Sequence, residues 1–136
     1  MTPELPLEIV VRGIPVSLQA STRSRRAWRD TIRFAAEGVI PGGSWALTDR
    51  LAVTIFYFAE GQMLGDIDNI VKPILDAMIP NVYVDDSLID RVVVQRFAPS
   101  DVFSFTDPTP ALTEAIVEDG PAVYIRITDD LHEDLQ

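Results

Sequence analysis

The sequence predicts a small α/β (α+β) domain, a mixed β-sheet with two helices packed on it in the order β-α-β-α-β-β. Three observations lead there. At 136 residues the chain fits one domain, 1–136. A 47% hydrophobic content supplies a core rather than a disordered chain. Short β-branched runs alternate with two stretches of helical periodicity, which combines a sheet with helices layered on it.

Leu7 to Arg12 (LEIVVR) is a short apolar run stopped by Gly13 and reads as a strand. Gly13 to Ser21 is a loop, because Pro15 and small polar residues discourage regular structure. Thr22 to Ala36 reads as a helix capped by Ser21 or Thr22 and followed by Gly38. Its apolar face is Trp28, Ile32 and Ala35. Arg25 or Arg26, Arg29 and Arg33 lie opposite at helical spacing. Pro41-Gly42-Gly43 is a turn, and Leu47 to Phe58 contains LAVTIFYF, a central strand.

Asp68 to Met78 has the clearest helical period, with Ile67, Ile70, Val71, Ile74, Leu75 and Met78 on one face and Asp68, Asn69, Lys72 and Asp76 on the other. Pro73 sits uncomfortably there unless it lies within the first turn, and it bends or interrupts the ladder otherwise. Val82 to Val84 leads into Asp85-Asp86-Ser87. Ile89 to Phe97 and Ala122 to Thr128 are the last two strands, and residues 99–120 read as a long Pro- and acid-rich connection, a place for mobility, as is the tail 130–136. Trp28, Trp45 and Phe56-Tyr57-Phe58 are expected in the core.

Charge narrows the function classes. The net charge of −10 argues against a phosphate-rich partner, but it is unevenly spread. Nine of the 21 acids and only Arg126 of the 11 bases follow residue 100, so the first hundred residues are nearly neutral. Arg23, Arg25, Arg26, Arg29 and Arg33 cluster near the start. They suit either DNA phosphates or a solvated face paired with the chain's acids. No cysteine is present, which excludes disulfides, thiolate–zinc sites and cysteine nucleophiles. No apolar run spans a bilayer and the start lacks a signal-peptide pattern, so a cytoplasmic protein without membrane contact is expected. His132, the sole histidine, stands in an acidic tail and is expected to be neither ligand nor base.

The chemistry concentrates in GDIDNIVKPILDAM and VYVDDSLID. Asp66 and Asp68, two apart in an extended segment, point the same way at a helix start. Asp85 and Asp86 occupy a turn that one helix and a return loop can bring alongside. Three carboxylates within a few ångströms repel by about 4 kcal/mol per pair at an effective dielectric of 20. They need a cation, and oxygen donors suit Mg²⁺, or Mn²⁺. Lys72, the only lysine, lies one turn after Asp68 on the same face, where an ammonium can steady charge on a phosphate. Asn69 and Asp85 are supporting candidates. Each piece alone has an ordinary explanation: helix cap, turn, exposed i,i+4 pair. Their joint flanking of one helix favours a site.

Asp66-Ile-Asp68-Asn69-x-x-Lys72, then Asp76-Ala77 and Asp85-Asp86, resembles the signature of the RusA-type Holliday-junction resolvases, D-L-D-N-x-x-K-x-x-x-D-A-L followed by a short loop and D-D. The resemblance implies metal-binding catalytic carboxylates at Asp66, Asp68 and Asp86, with Lys72 also required. It further implies a homodimer that cuts four-way, branched DNA on paired strands. The competing reading is a non-catalytic module that binds a metal or a DNA structure and offers its acidic end to a protein partner.

Overall fold

The computed structural model describes residues 1–61, 66–101 and 103–133. Among these residues lie one four-stranded sheet and three helices: β1 (Leu7–Arg12), α1 (Thr22–Glu37), β2 (Leu51–Phe58), α2 (Ile67–Ala77), β3 (Ile89–Phe97), α3 (Pro110–Val117) and β4 (Ala122–Thr128), with a 3₁₀ turn at Asp86–Leu88. The α+β class is as expected. The strand order is β1-β4-β2-β3, with β4 antiparallel to both neighbours and β2 parallel to β3.

Burial follows from that order. β4 and β2 are the two interior strands, and their apolar runs are buried nearly throughout. β3 is an edge strand whose Asp90, Arg91, Gln95 and Arg96 keep its outer side polar, which discourages strand addition. On one face, Ile9, Val11, Val53, Ile55, Ile125 and Ile127 pack under α1 and α2 through Trp28, Ile32, Ile70 and Ile74. Ile9, Ile125 and Ile55 lie at matched heights because Ile9↔Ile125 and Ile55↔Ile125 are paired across three strands.

The opposite face carries a second apolar cluster of Phe58, Phe97, Leu112, Ala115, Ala122 and Tyr124, with Phe56 and Phe105 against it. Here the sequence reading is corrected. Residues 99–120 are not only a connection, since they hold α3, and three helices rather than two cover the sheet. The local signal was Thr109-Pro110: the Thr109 hydroxyl accepts from the Leu112 N–H and Pro110 takes the first helical position, where its missing N–H costs nothing. Eight residues of weak amphipathicity hid it. Trp45 is a second correction. It is 73% exposed, because the Pro41–Ser44 turn carries it clear of β2, which starts only at Leu51. The tail is bonded at its start: Arg126 makes a two-pronged ion pair with Glu133 at 3.0 and 3.1 Å, and Arg91 donates to the Glu133 carbonyl at 2.6 Å.

Two long-range contacts fix α2. Pro73 falls in its interior, so the Asn69 carbonyl has no intrahelical donor. The Leu18 N–H fills that gap at 3.0 Å, tying the β1–α1 loop to α2. At the other end Arg33 reaches from α1 to the carbonyls of Ala77 (3.0 Å) and Ile79 (2.8 Å). Ala77 is the last residue of α2, whose carbonyl the helix leaves unpaired, and Ile79 lies just beyond it. Arg33→Ala is therefore expected to lower stability by roughly 2 kcal/mol, and the thermal midpoint by about 6–10 °C. An unchanged midpoint in thermal unfolding followed by circular dichroism would return Arg33 to the role of free surface cation.

Candidate active site

The site forms at the start of α2 and the turn before β3. Asp66 is the N-cap of α2 in an extended conformation, and its side chain makes no capping hydrogen bond. Asn69 donates its backbone N–H to the Asp66 carbonyl at 3.0 Å, which starts the helix without using that carboxylate. Asp68 follows in the first turn and is exposed. Both carboxylates thus stand at the positive end of the helix dipole with their oxygens toward solvent. Asn69 contributes through its backbone alone among the described contacts, bridging α2 to Leu18.

Three contacts hold the second acidic turn. Leu47 bridges Tyr83, donating to the Val82 carbonyl at 2.8 Å and accepting from Val84 at 3.2 Å. Arg50 donates to the Ser87 carbonyl at 2.5 Å and lies 3.4 Å from Asp90. Asp85 accepts from the Ser87 N–H at 3.3 Å. The Ser87 hydroxyl and N–H together hold the Asp85 carboxyl below its usual range. Asp85 supports the loop, and Arg50, which sequence reasoning passed over, braces it. Nothing local marks Arg50, since its partners lie 37 and 40 residues on in the chain.

Lys72 joins the two segments. Its ammonium donates to Asp86 and lies 3.0 Å from Asp76. The hydrogen bond that it donates to Asp86, then that to Asp76, pushes its pKa well above the ordinary lysine value, so Lys72 stays a cation here. Beneath the cluster Tyr83 is fully buried and donates to the Leu75 carbonyl at 2.5 Å. Burial first, and then the charges of Asp86 and Asp76, raise its pKa, so it stays a neutral phenol. Asp68 lies one helical turn, about 6 Å of rise, from Lys72. The contact with Lys72 links the Asp86 turn to the helix that Asp66 and Asp68 begin.

The fit to a divalent cation has two sides. The donors are carboxylate oxygens, the right type for a hard cation, and the Asp66 carboxylate is not spent on the helix cap. Among the described residues, however, no three acidic or imidazole side chains are gathered tightly enough to hold an ion. Asp86 is turned to Lys72, so an intramolecular cation supplies part of the charge balance. Of the arginines, Arg23, Arg25 and Arg26 are exposed on α1 and Arg29 is half-buried beside α2. Arg33 is not a free phosphate contact, because its guanidinium is committed to the carbonyls at the end of α2.

A carboxylate pair at a helix start and a second acidic turn are thus joined through a lysine on a mixed α+β sheet. The family model of endodeoxyribonuclease RusA matches residues 19–128, which include both acidic segments and every strand but β1. The chain belongs to the RusA endodeoxyribonuclease family, as the motif suggested. A search of curated proteins finds no match. Among the described residues, no helix is long and apolar enough to cross a membrane.

Proposed function

We propose that this protein is a divalent-metal-dependent endonuclease that resolves Holliday junctions and related branched DNA in recombination and repair. It would act as a single-domain subunit of a cytoplasmic homodimer. The observation that carries the reading is the Lys72–Asp86 contact, which joins the D-x-D helix to the D-D turn inside the region matched to the family.

Asp66, Asp68 and Asp86 are the residues that would hold Mg²⁺, with Mn²⁺ as a substitute, and a bound ion there would activate water and offset charge on the phosphodiester. Lys72 donates to a non-bridging oxygen of the scissile phosphate, with Asp76 orienting its ammonium from one helical turn away. Water adds to phosphorus in line and loses a proton to solvent, the bond to the 3′-oxygen breaks, and that oxygen takes a proton from solvent. The products are a 5′-phosphate and a 3′-hydroxyl. Asp85 and Arg50 keep the Asp86 turn in place. Two subunits put two such sites on opposed strands, as paired cuts require.

The test is cleavage of an end-labelled four-way junction, resolved on a denaturing gel at low salt with Mg²⁺, with Mn²⁺ and with chelator. Metal-dependent nicks at symmetric positions near the crossover are expected. A folded protein that binds the junction but cuts in neither metal would replace this reading with that of a non-catalytic binding module.

A further inference from the structure

The arginines of α1 divide into two groups. Arg33 is used up on α2. Arg25, Arg26 and Arg29 instead line a cleft of about 280 Å³ between the helices, whose far wall is Pro73 and Asp76 of α2. The width of this cleft has a local cause. Leu18, which also lines it, is pinned to Asn69 through the carbonyl that Pro73 leaves free, and so the start of α1 is held alongside α2.

The charge inside the cleft is opposite to that of the chain. Among the described residues no ion pair includes Arg25 or Arg26. The one acid on the far wall, Asp76, already lies 3.0 Å from Lys72. Arg29 approaches only its neighbour Asp30, at 3.7 Å, beyond hydrogen-bonding distance. Its Nε is buried and has no acceptor. Arg25 and Arg26 are exposed and Arg29 lines the same cleft, and guanidinium forks match phosphate geometry.

We infer that the α1–α2 cleft is a second phosphate site, distinct from the carboxylate cluster. In it Arg25, Arg26 and Arg29 grip a non-scissile phosphodiester of the strand being cut. The identity of the strand rests on the nuclease reading above, whereas the preference for a phosphate stands on the cleft itself. Asp76 faces the cleft and lies one turn along α2 from Lys72, so one helix sets the spacing between the gripped phosphate and the bond to be broken. These arginines are positioning residues. They strengthen binding of ground and transition state alike, and therefore act on KM more than on kcat.

The experiment measures binding of a labelled four-way junction in chelator across a salt series. It compares the wild type with Arg25→Ala/Arg26→Ala, with Arg29→Gln, and with Arg23→Ala, an exposed arginine of the same helix that does not line the cleft. The double variant is expected to lose about tenfold or more in affinity, and its salt slope to become shallower by about one per lost phosphate contact. Arg23→Ala is expected to stay within about twofold once salt screens its longer-range charge. Single-turnover cleavage at saturating protein should fall far less than affinity does. Arg25→Lys/Arg26→Lys, which keeps the charge, guards against loss of fold and should recover part of the affinity.

Inorganic phosphate distinguishes the possible sources of the ligand, through ³¹P line broadening with the wild type and the double variant. Broadening lost in the variant together with weaker junction binding supports the inference. Broadening lost with junction affinity unchanged makes the cleft a free-phosphate site and overturns the strand assignment. Equal effects from Arg23 and the cleft arginines overturn the site itself. A wild type that never cuts, yet binds DNA in a cleft-dependent way, removes the nuclease reading and leaves this inference standing.

Discussion

Asp68→Asn is expected to reduce junction cleavage by more than about a hundredfold, since even outer partners of a metal ligand are commonly worth 10–100-fold. The substitution is nearly isosteric, and Asp68 is exposed in the first turn of α2, so nothing in the core moves. Folding should lose only the interaction of one anion with a helix N-terminus, about 0.3–1 kcal/mol. Junction binding in chelator should hold or tighten, because a negative charge facing phosphates is removed. The measurement pairs a cleavage time course with a binding isotherm on the same preparation. Retained cleavage in both Mg²⁺ and Mn²⁺ would remove Asp68 from the catalytic set, and loss of binding along with cleavage would mark it as structural.

Lys72→Ala is expected to act in opposite directions on two readouts. Cleavage should fall by about 10²–10³-fold, the usual cost of deleting one donor aimed at developing charge. Divalent-cation binding to the DNA-free protein should tighten. Asp86 accepts from the Lys72 ammonium, and removing that ammonium takes away the cation with which Asp86 and Asp76 are paired among the described residues. Calorimetric titration with Mn²⁺ measures the second effect without any catalysis. The exposed ion pairs themselves contribute little to folding, so the thermal midpoint should hardly move. If Mn²⁺ bound more weakly to the variant, Lys72 would be a support for the site rather than a competitor for its anion.

Local physics made much of this protein legible. The period-2 and period-3.6 patterns place six of the seven regular elements, with boundaries within one residue for α1 and α2 and at the strand itself for β1, β3 and β4. β2 begins later than Leu47 because Leu47 leaves the sheet to bridge Tyr83. The apolar face of α1 turns by one position, with Ala36 rather than Ala35 fully buried. α3 escaped because a short helix with little amphipathicity is held by tertiary packing of its Leu112 and Ala115 into the cluster of Phe58, Phe97, Ala122 and Tyr124 more than by its own pattern.

The site divides along the same line. Asp68, Lys72 and Asp76 are spaced by whole turns of one helix, so their common face follows from the sequence alone, and Asp66 stands at the N-cap before them. The sequence also determined the carboxylate-rich chemistry and the class of fold. The tertiary structure alone decided that β2 and β3 run parallel, that Asp86 meets Lys72 from fourteen residues away, and that Arg33 is spent on a helix end while Arg25, Arg26 and Arg29 are not. The reason is physical. Periodicity and capping depend on neighbours within about a turn of the chain, whereas the partner of a long charged side chain depends on which distant backbone the packed core carries beside it.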